Sequence, residues 1–139
     1  YLNWFLRLFE SFGNPVEVIS KEDKVRYHVA AAMASNLYVG LANMCEQMLR
    51  DCGFSAANAH RALSPLMIGN TENIIQYGPV GALTGPIERN DLTTVMDHLE
   101  SLSEQEQKVY KILSGEVINV AKMKHPERDY SEMERMLNS

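Results

Sequence analysis

Residues 20–53 have the sequence SKEDKVRYHVAAAMASNLYVGLANMCEQMLRDCG, and this stretch predicts one long helix. Ser20 is a typical N-cap residue, Gly53 ends the segment, and only Gly40 interrupts the helix-forming residues between them. Such a helix, roughly 30 residues long, would span about 45 Å, more than a small monomeric domain needs. Its centre is rich in alanine, and both of its sides carry apolar residues, namely Val25, Val29, Met33, Leu37, Leu41, Met44 and Met48. We therefore expect burial on several faces, in a core shared with a second copy of the chain.

Outside this segment the sequence predicts further helices and little else. Apolar residues recur at helical spacing within residues 2–12, 55–78, 92–102 and 104–124, and again after Ser131. Pro65 is expected to kink its helix or to start a new one, because proline lacks a backbone donor. On the helix over residues 104–124 the expected inward side chains are Val109, Ile112, Leu113, Val117, Val120 and Ala121.

One short segment favours a strand instead. Val16–Ile19 is rich in β-branched residues, but the sequence offers no second strand of similar quality to pair with it. The fold class is therefore predicted as all-α, a helical bundle around one long central helix, with a residual helix and strand at the N-terminus.

Composition limits the classes of function. The chain has 139 residues, 45% of them hydrophobic, which suits one globular domain with a core of its own. Its net charge of -5 disfavours nucleic acid as a partner. No apolar run approaches the roughly 18 residues of a membrane span, and no signal peptide opens the chain, so no membrane partner is expected. Cys45 and Cys52 share one predicted helix and cannot bridge within it, and free thiols favour a cytoplasmic location.

His28, Ser35 and Asn36 form the first candidate site. At about 100° per residue they fall on neighbouring parts of one side of the long helix. A histidine and an asparagine that face one cleft can bind and protonate a carbonyl or hydroxyl substrate. The structural alternative is that His28 packs between domains and Asn36 satisfies a buried backbone group.

The second candidate site is the loop GALTGPIERND, residues 81–91. Arg89 offers a guanidinium fork for a phosphate or carboxylate, and Thr84 offers a hydroxyl. Asp91 is placed to cap the helix that follows. In the alternative interpretation, Arg89 and Asp91 pair with each other and hold a structural crossover. Spacing alone leaves both interpretations open.

Metal and cofactor sites are not predicted within this chain. The four histidines lack ligand-like spacing, and no cysteine pair resembles a zinc site. Gly78, Gly81 and Gly85 follow a helix, whereas a dinucleotide fingerprint follows a strand. We therefore expect no nicotinamide cofactor to bind this chain by itself.

Several of these motifs together resemble a known bacterial family. They are YHVAAA at 27–32, ASN at 34–36, NI at 73–74, GP at 78–79 and ALTGPI at 82–87, with Arg89, Asp91 and the pair His98-Leu99. The pattern is similar to the helical C-terminal domain, of unknown function, in Rossmann-like proteins described as NADP oxidoreductases related to the deazaflavin-dependent kind. It also resembles the C-terminal domains of the 6-phosphogluconate dehydrogenase superfamily. The match covers about Lys24 to Leu102 and extends to Lys124.

The resemblance implies a longer, two-domain parent protein. Its N-terminal Rossmann domain would bind NAD(P), and its helical domain would shape the cleft for a small-molecule substrate and form a homodimer. Residues 1–20 would then be the tail of the absent Rossmann domain, and residues 21–139 the helical substrate and dimerisation domain. The start of the sequence at Tyr1, inside an amphipathic pattern, also suggests a piece of a longer polypeptide. The isolated chain would be inactive.

The resemblance also implies roles for individual residues. His28 would be the catalytic proton donor or acceptor and Asp91 a structural cap. The substrate-binding residues would be Asn36, Asn73, Thr84, Gly85, Pro86 and Arg89. Relatives carry a lysine where this chain has Ala32, which makes His28, one turn earlier, the nearest substitute. Where the family loop has Arg-Gly-Asp, this chain has Asn90 in the middle position, and asparagine tolerates positive φ better than most residues. Without that lysine, a non-catalytic helical dimerisation or partner-binding module is the alternative.

Overall fold

The computed structural model describes residues 1–14 and 16–139, and every regular element in them is helical. The helices are α1 (Leu2–Ser11), α2 (Lys24–Ala32), α3 (Tyr38–Asp51), α4 (Ala56–Ala82), α5 (Leu92–Ser101), α6 (Glu104–Lys124) and α7 (Ser131–Asn138). A π-helical segment, Met33–Leu37, joins α2 to α3 without a break. With that stretch counted as one helix, the described residues contain six helices and no strand. The predicted all-α class is confirmed.

The predicted strand at Val16–Ile19 is wrong. These residues have irregular backbone in the structure. A strand needs a neighbouring strand to pair with its N–H and C=O groups, and the described residues provide none. β-Branched composition alone was therefore not enough to form the strand.

Local sequence signals explain several features at the helix ends. Ser20 Oγ accepts a hydrogen bond from the Asp23 amide at 3.0 Å, which holds a turn just ahead of α2. Ser55 Oγ accepts from the Asn58 amide at 3.3 Å at the start of α4. Pro65 does not start a new helix, since the non-helical dihedral angles within α4 occur at Gly78, with φ 69° and ψ 171°. A residue with a side chain would be strained at that φ, so glycine is favoured at this interruption of α4.

The chain divides into two compact units, Tyr1–His60 and Arg61–Ser139. Among the described residues of the first unit, Ala59 is the one buried residue. On its long helix, Val25, Val29, Met33 and Leu37 are exposed, whereas Leu41, Met44 and Met48 are partly buried. Most apolar side chains of α1 are exposed as well, including Trp4, Phe5 and Phe9. The apolar residues that the sequence predicted to be buried are therefore exposed or only partly buried within this chain.

The second unit has a core of its own. It consists of Ile87, Val95, Leu99, Ile118, Ala121, Tyr130, Met133 and Leu137. On α6 the buried residues are Ser114, Ile118 and Ala121, whereas Ile112 and Leu113 are exposed. Of the predicted inward residues, Ala121 is buried, and Val109, Val117 and Val120 are partly buried. Apolar periodicity therefore gave the helix and part of its buried stripe, but it included Ile112 and Leu113 and missed Ile118.

Capping fixes both ends of the connection between α5 and α6. Ser103 and Glu106 form a capping box: the Ser103 amide donates to Glu106 Oε2 at 2.8 Å, and Ser103 Oγ accepts from the Glu106 amide. Gln107 Nε2 donates to the carbonyls of Leu99 and Leu102 at 2.9 and 3.1 Å. Carbonyls at the C-terminal end of α5 are thus satisfied by a side chain of α6.

Candidate functional site

The loop between α4 and α5 is closed by its own backbone. The amides of Arg89, Asn90 and Asp91 donate to the carbonyls of Gly85, Ile87 and Pro86 at 3.1, 3.0 and 2.8 Å, respectively. Gly85 has φ 106° and Asn90 has φ 57°, and both values lie in the region that glycine and asparagine tolerate best. Ile87 is buried in the core of the second unit. The loop is therefore an ordered structure with a fixed shape.

The segment from Lys124 to Tyr130, which we name the anchor segment, binds this loop. Lys124 Nζ donates to the Leu83 carbonyl at 2.6 Å, and Asn90 Nδ2 donates to the Asp129 carbonyl at 3.0 Å. The Tyr130 hydroxyl donates to the Glu88 carbonyl at 2.7 Å. The anchor segment is thus hydrogen-bonded to the loop at Leu83, Glu88 and Asn90.

Glu88 lies at the centre of these contacts. Its carboxylate is hydrogen-bonded to His125 Nε2, and its backbone carbonyl also accepts a bond from Arg128 Nη1. The side chains of Glu88 and His125 are 14% and 24% exposed, so solvent screens this pair less than it screens a surface pair. The bond to His125, and then the charges of Lys124, His125 and Arg128, hold the pKa of the Glu88 carboxyl below its usual value.

Arg89 and Thr84 lie on the exposed side of the loop. Both residues are exposed, whereas the neighbouring Pro86 and Glu88 are partly buried. Within the described residues, the guanidinium of Arg89 makes neither a hydrogen bond nor an ion pair. A free guanidinium on an ordered loop is a binding group for a carboxylate or phosphate.

Asp91 caps α5 and is not paired with Arg89. Its Oδ1 accepts from the Thr94 amide at 3.1 Å and its Oδ2 accepts from Thr94 Oγ1 at 2.7 Å. These two bonds lower the pKa of the Asp91 carboxyl, and the more distant charges of Arg89 and His98 add to the effect. The Arg89–Asp91 pair that the structural alternative predicted is therefore not formed.

His28 and Asn36 lie on the exposed surface of the long helix in the first unit. Asn36 belongs to the π-helical segment, and its Oδ1 lies 2.9 Å from Ser35 Oγ, which is also 2.7 Å from the Ala31 carbonyl. A π-turn takes more residues per turn than an α-turn, so we expect this segment to rotate Asn36 back toward the side of His28. Single-turn π segments within α-helices occur frequently at functional sites. The sequence analysis selected these residues but gave no indication of the π-helix.

The predicted site residues thus fall into two sets. His28 and Asn36 belong to the first unit, and Asn73, Thr84, Gly85, Pro86, Arg89 and Asp91 belong to the second. Asn73 is exposed on α4, away from the loop in sequence. The loop residues from Thr84 to Asp91 are held together as one structure by the turn and the anchor segment.

The sequence analysis missed the residues that hold the loop. Glu88, His125, Arg128 and Tyr130 make these contacts over separations of 37 to 42 residues in the chain. Such contacts leave no trace in local spacing. The residues after Lys122 mix both signs of charge, which is typical of a solvated surface, yet His125 and Arg128 are partly buried.

The remaining features to consider are metal sites, membrane-spanning helices and the two cysteines. Among the described residues, no group of three or more histidine, cysteine, aspartate or glutamate side chains could hold a metal ion. In the same residues, no helix combines the length and the apolar character that crossing a membrane requires. Cys45 and Cys52 are both free thiols, and burial raises the pKa of Cys45.

The chain matches a family model. A family model described as "Domain of unknown function (DUF2520)" matches residues 1–117, most of the chain. No curated protein and no solved structure matches.

Proposed function

Since the chain belongs to the family described as Domain of unknown function (DUF2520), its activity has to be argued from its residues, and we propose a substrate-binding role. In this proposal the chain is the substrate-cleft and dimerisation domain of an NAD(P)-dependent oxidoreductase. The substrate is a small carbonyl or imine compound that carries an anionic group. The isolated chain is inactive, because the cofactor belongs to a separate Rossmann domain.

The main observation behind the proposal is that the side chain of Arg89 has no ion-pair partner. Its guanidinium is exposed and unpaired on a loop whose shape is fixed by turn bonds and by the anchor segment. Asp91, on which Arg89 acts only as a more distant charge, is hydrogen-bonded to Thr94. An exposed guanidinium without an ion-pair partner favours a ligand of opposite charge. Thr84 is a second exposed polar residue of the loop and adds a hydroxyl.

His28 is the candidate proton donor or acceptor. An imidazole ring carries one nitrogen that can donate a proton and one that can accept it, which suits general acid–base chemistry. His28 is exposed and has no hydrogen-bond partner among the described residues, so its ring is accessible to a substrate. The Asn36 side-chain amide, with its oxygen beside Ser35, keeps its N–H groups available for a substrate oxygen.

In this proposal the dinucleotide is bound by the separate Rossmann domain and not by this chain. Binding of the pyrophosphate by a Rossmann unit requires a strand, a glycine-rich turn and a helix in succession, and the described residues contain no strand. We therefore assign no residue of this chain to the cofactor.

A homodimer is the second part of the proposal. The long helix exposes apolar side chains on several sides, and small residues in its centre allow close approach of another helix. At micromolar concentration we expect light scattering to give twice the chain mass of 15.7 kDa. The variant L37E should shift the protein to monomer, whereas K24A on the same helix should not. A wild-type monomer would refute the dimer.

The experiment for the enzymatic part uses the parent polypeptide that includes the upstream domain. Nicotinamide oxidation is followed over a panel of keto acids and imines for the wild type, H28A and R89Q. We expect H28A to lose turnover, and R89Q to raise KM for substrates with a carboxylate while neutral substrates are unaffected. R135Q removes a guanidinium from α7 and serves as the matched control. Equal turnover in wild type and H28A would remove His28 from its role.

A non-catalytic dimerisation or partner-binding module is the second candidate function. The exposed apolar helix favours it as strongly as it favours the enzyme, and Ala32 occupies the position of the lysine in the similar dehydrogenases. The unpaired Arg89 argues against it, since a purely structural loop was expected to pair Arg89 with Asp91. A parent that dimerises but binds no nicotinamide would support this second candidate.

A further inference from the structure

The contacts of Glu88 determine how the loop presents its neighbours. The carbonyl oxygen of Glu88 accepts bonds from Arg128 and from the Tyr130 hydroxyl, and its carboxylate is held by His125. Tyr130 is 1% exposed, so its hydroxyl is a fixed donor. Because both the backbone and the side chain of Glu88 are held, the following residue, Arg89, starts from a fixed position on the exposed side.

The same contacts support two unusual backbone conformations. Gly85 and Asn90 both have positive φ, and a non-glycine residue in this region costs about 1 kcal/mol or more. The bond from Asn90 Nδ2 to the Asp129 carbonyl, 3.0 Å long, offsets part of that cost. Without the anchor segment, the loop would retain its three turn bonds but would lose the contacts that select this one shape.

We propose that His125 is a positioning residue: through Glu88 it fixes the loop conformation in which Thr84 and Arg89 are presented to substrate. The assignment of the loop to substrate rests on the proposed function above, whereas the action of His125 on the loop does not. His125 lies C-terminal to residue 117, where the match to the family model ends.

The charged groups around the Glu88–His125 pair determine how this pair responds to acid. Glu88 is faced by His125, Lys124 and Arg128, and the Nδ1 atom of His125 lies 3.6 Å from Glu127 Oε1. The pKa of Glu88 is lowered in the folded chain, so the pair persists through the usual glutamate range. It is lost only when the pH falls through that lowered pKa. At that point Glu127 remains as an alternative partner for His125.

The test is amide hydrogen exchange by NMR on the 139-residue chain. In H125A we expect protection of the amides of residues 89–91 to fall about tenfold. The loss of a hydrogen bond to a charged group shifts a local opening equilibrium by about this factor. Protection of the Ile118 and Ala121 amides in α6 should be unchanged. H60Q is the matched control, because it removes the histidine of another hydrogen-bonded His–Glu pair, His60–Glu46 at 2.7 Å, which lies in the first unit.

A second measurement separates positioning from a merely structural role. In wild type, the amide shifts of Arg89 and Asn90 should titrate together with the Glu88 carboxyl carbon. E88Q keeps a hydrogen-bonding side chain but has no charge to lose. At neutral pH its loop protection should therefore lie between those of wild type and H125A, and the acid titration should be lost.

The proposal is overturned if H125A retains wild-type protection over residues 89–91, or if the loop amides of E88Q titrate like those of wild type. Should H125A fail to fold, the wild-type titration decides alone: a loop that does not respond when Glu88 is protonated overturns the proposal. None of these readouts needs substrate or cofactor, so a parent protein without turnover would refute the proposed function and leave this result standing. In an active parent, H125Q should raise KM with kcat retained, and the reverse pattern would break the link to substrate.

Discussion

Replacing Tyr130 by phenylalanine removes a single hydroxyl from the anchor segment and leaves the ring in place. The ring is 1% exposed and packs in the core of the second unit. The hydroxyl donates to the Glu88 carbonyl at 2.7 Å. Arg128 still donates to that carbonyl in the variant, so no buried acceptor is left without a partner. The change therefore isolates one hydrogen bond.

The expected loss of unfolding free energy for Y130F is about 0.5–1 kcal/mol, the lower part of the range for one net hydrogen bond. Y130A also deletes the buried ring and should cost about 3–5 kcal/mol. Urea unfolding followed by circular dichroism measures both values, with the slope m checked for constancy. The thermal unfolding midpoint of Y130F should be lower than that of wild type by about 2–8 °C. This range follows from a shift of about 4–8 °C per kcal/mol for a unit of the size of Arg61–Ser139.

The matched control is Y77F. Tyr77 is 59% exposed on α4, and its hydroxyl makes no hydrogen bond in the described residues. We expect its stability to remain within about 0.5 kcal/mol of wild type. If Y130F equals wild type and Y77F, the hydroxyl contributes nothing to the anchor. If Y130F costs as much as Y130A, the ring moves when the hydroxyl is lost, and the separation of the two contributions is wrong.

Three further predictions concern the same unit. G85A should destabilise the chain by about 1 kcal/mol or more because Gly85 has φ 106°, whereas G69A, in the open interior of α4, should stabilise it by about 0.5–1 kcal/mol; thermal unfolding compares the two. S103A removes the capping box of α6 and should cost about 1 kcal/mol in urea unfolding, and S103T should restore most of it. Because the pKa of Glu88 is lowered by folding, its contribution is present above the usual glutamate range and is lost as the pH falls through the lowered value. Stability measured from neutral pH into acid should therefore fall less in E88Q than in wild type, and an identical fall would contradict this linkage.

Local signals predicted the helices well because their causes are local. Ser103 and Glu106 stand at capping-box spacing, and α6 begins at Glu104 and ends at Lys124 as the sequence indicated. Asp91 stands directly before Leu92, where α5 begins. Met133 and Leu137 stand one turn apart, and α7 buries both. Caps and apolar spacing act within a few residues, so a single sequence reveals them.

The failures have a common cause in distance along the chain. Val16–Ile19 has strand composition, but pairing requires a partner that local sequence cannot supply. Ile112 and Leu113 are apolar yet exposed, since the packing of α5 and α7 decides which stripe of α6 is buried. For the candidate site, Arg89 could be selected from the loop sequence. The lack of an ion pair between Arg89 and Asp91 could not be predicted from it. The bond of His125 to Glu88 crosses 37 residues, and no spacing rule connects them.

The two units differ in what stabilises them, and this difference has a consequence for the proposed dimer. The second unit buries its own core, so its helices are stabilised by packing within the chain. The long helix of the first unit has no buried residue between Lys24 and Asp51. A helix of that kind gains stability mainly when its apolar faces are covered, because isolated helices are marginal in water. Association and helix formation should therefore be coupled in the first unit, which makes its unfolding midpoint depend on protein concentration while that of the second unit does not.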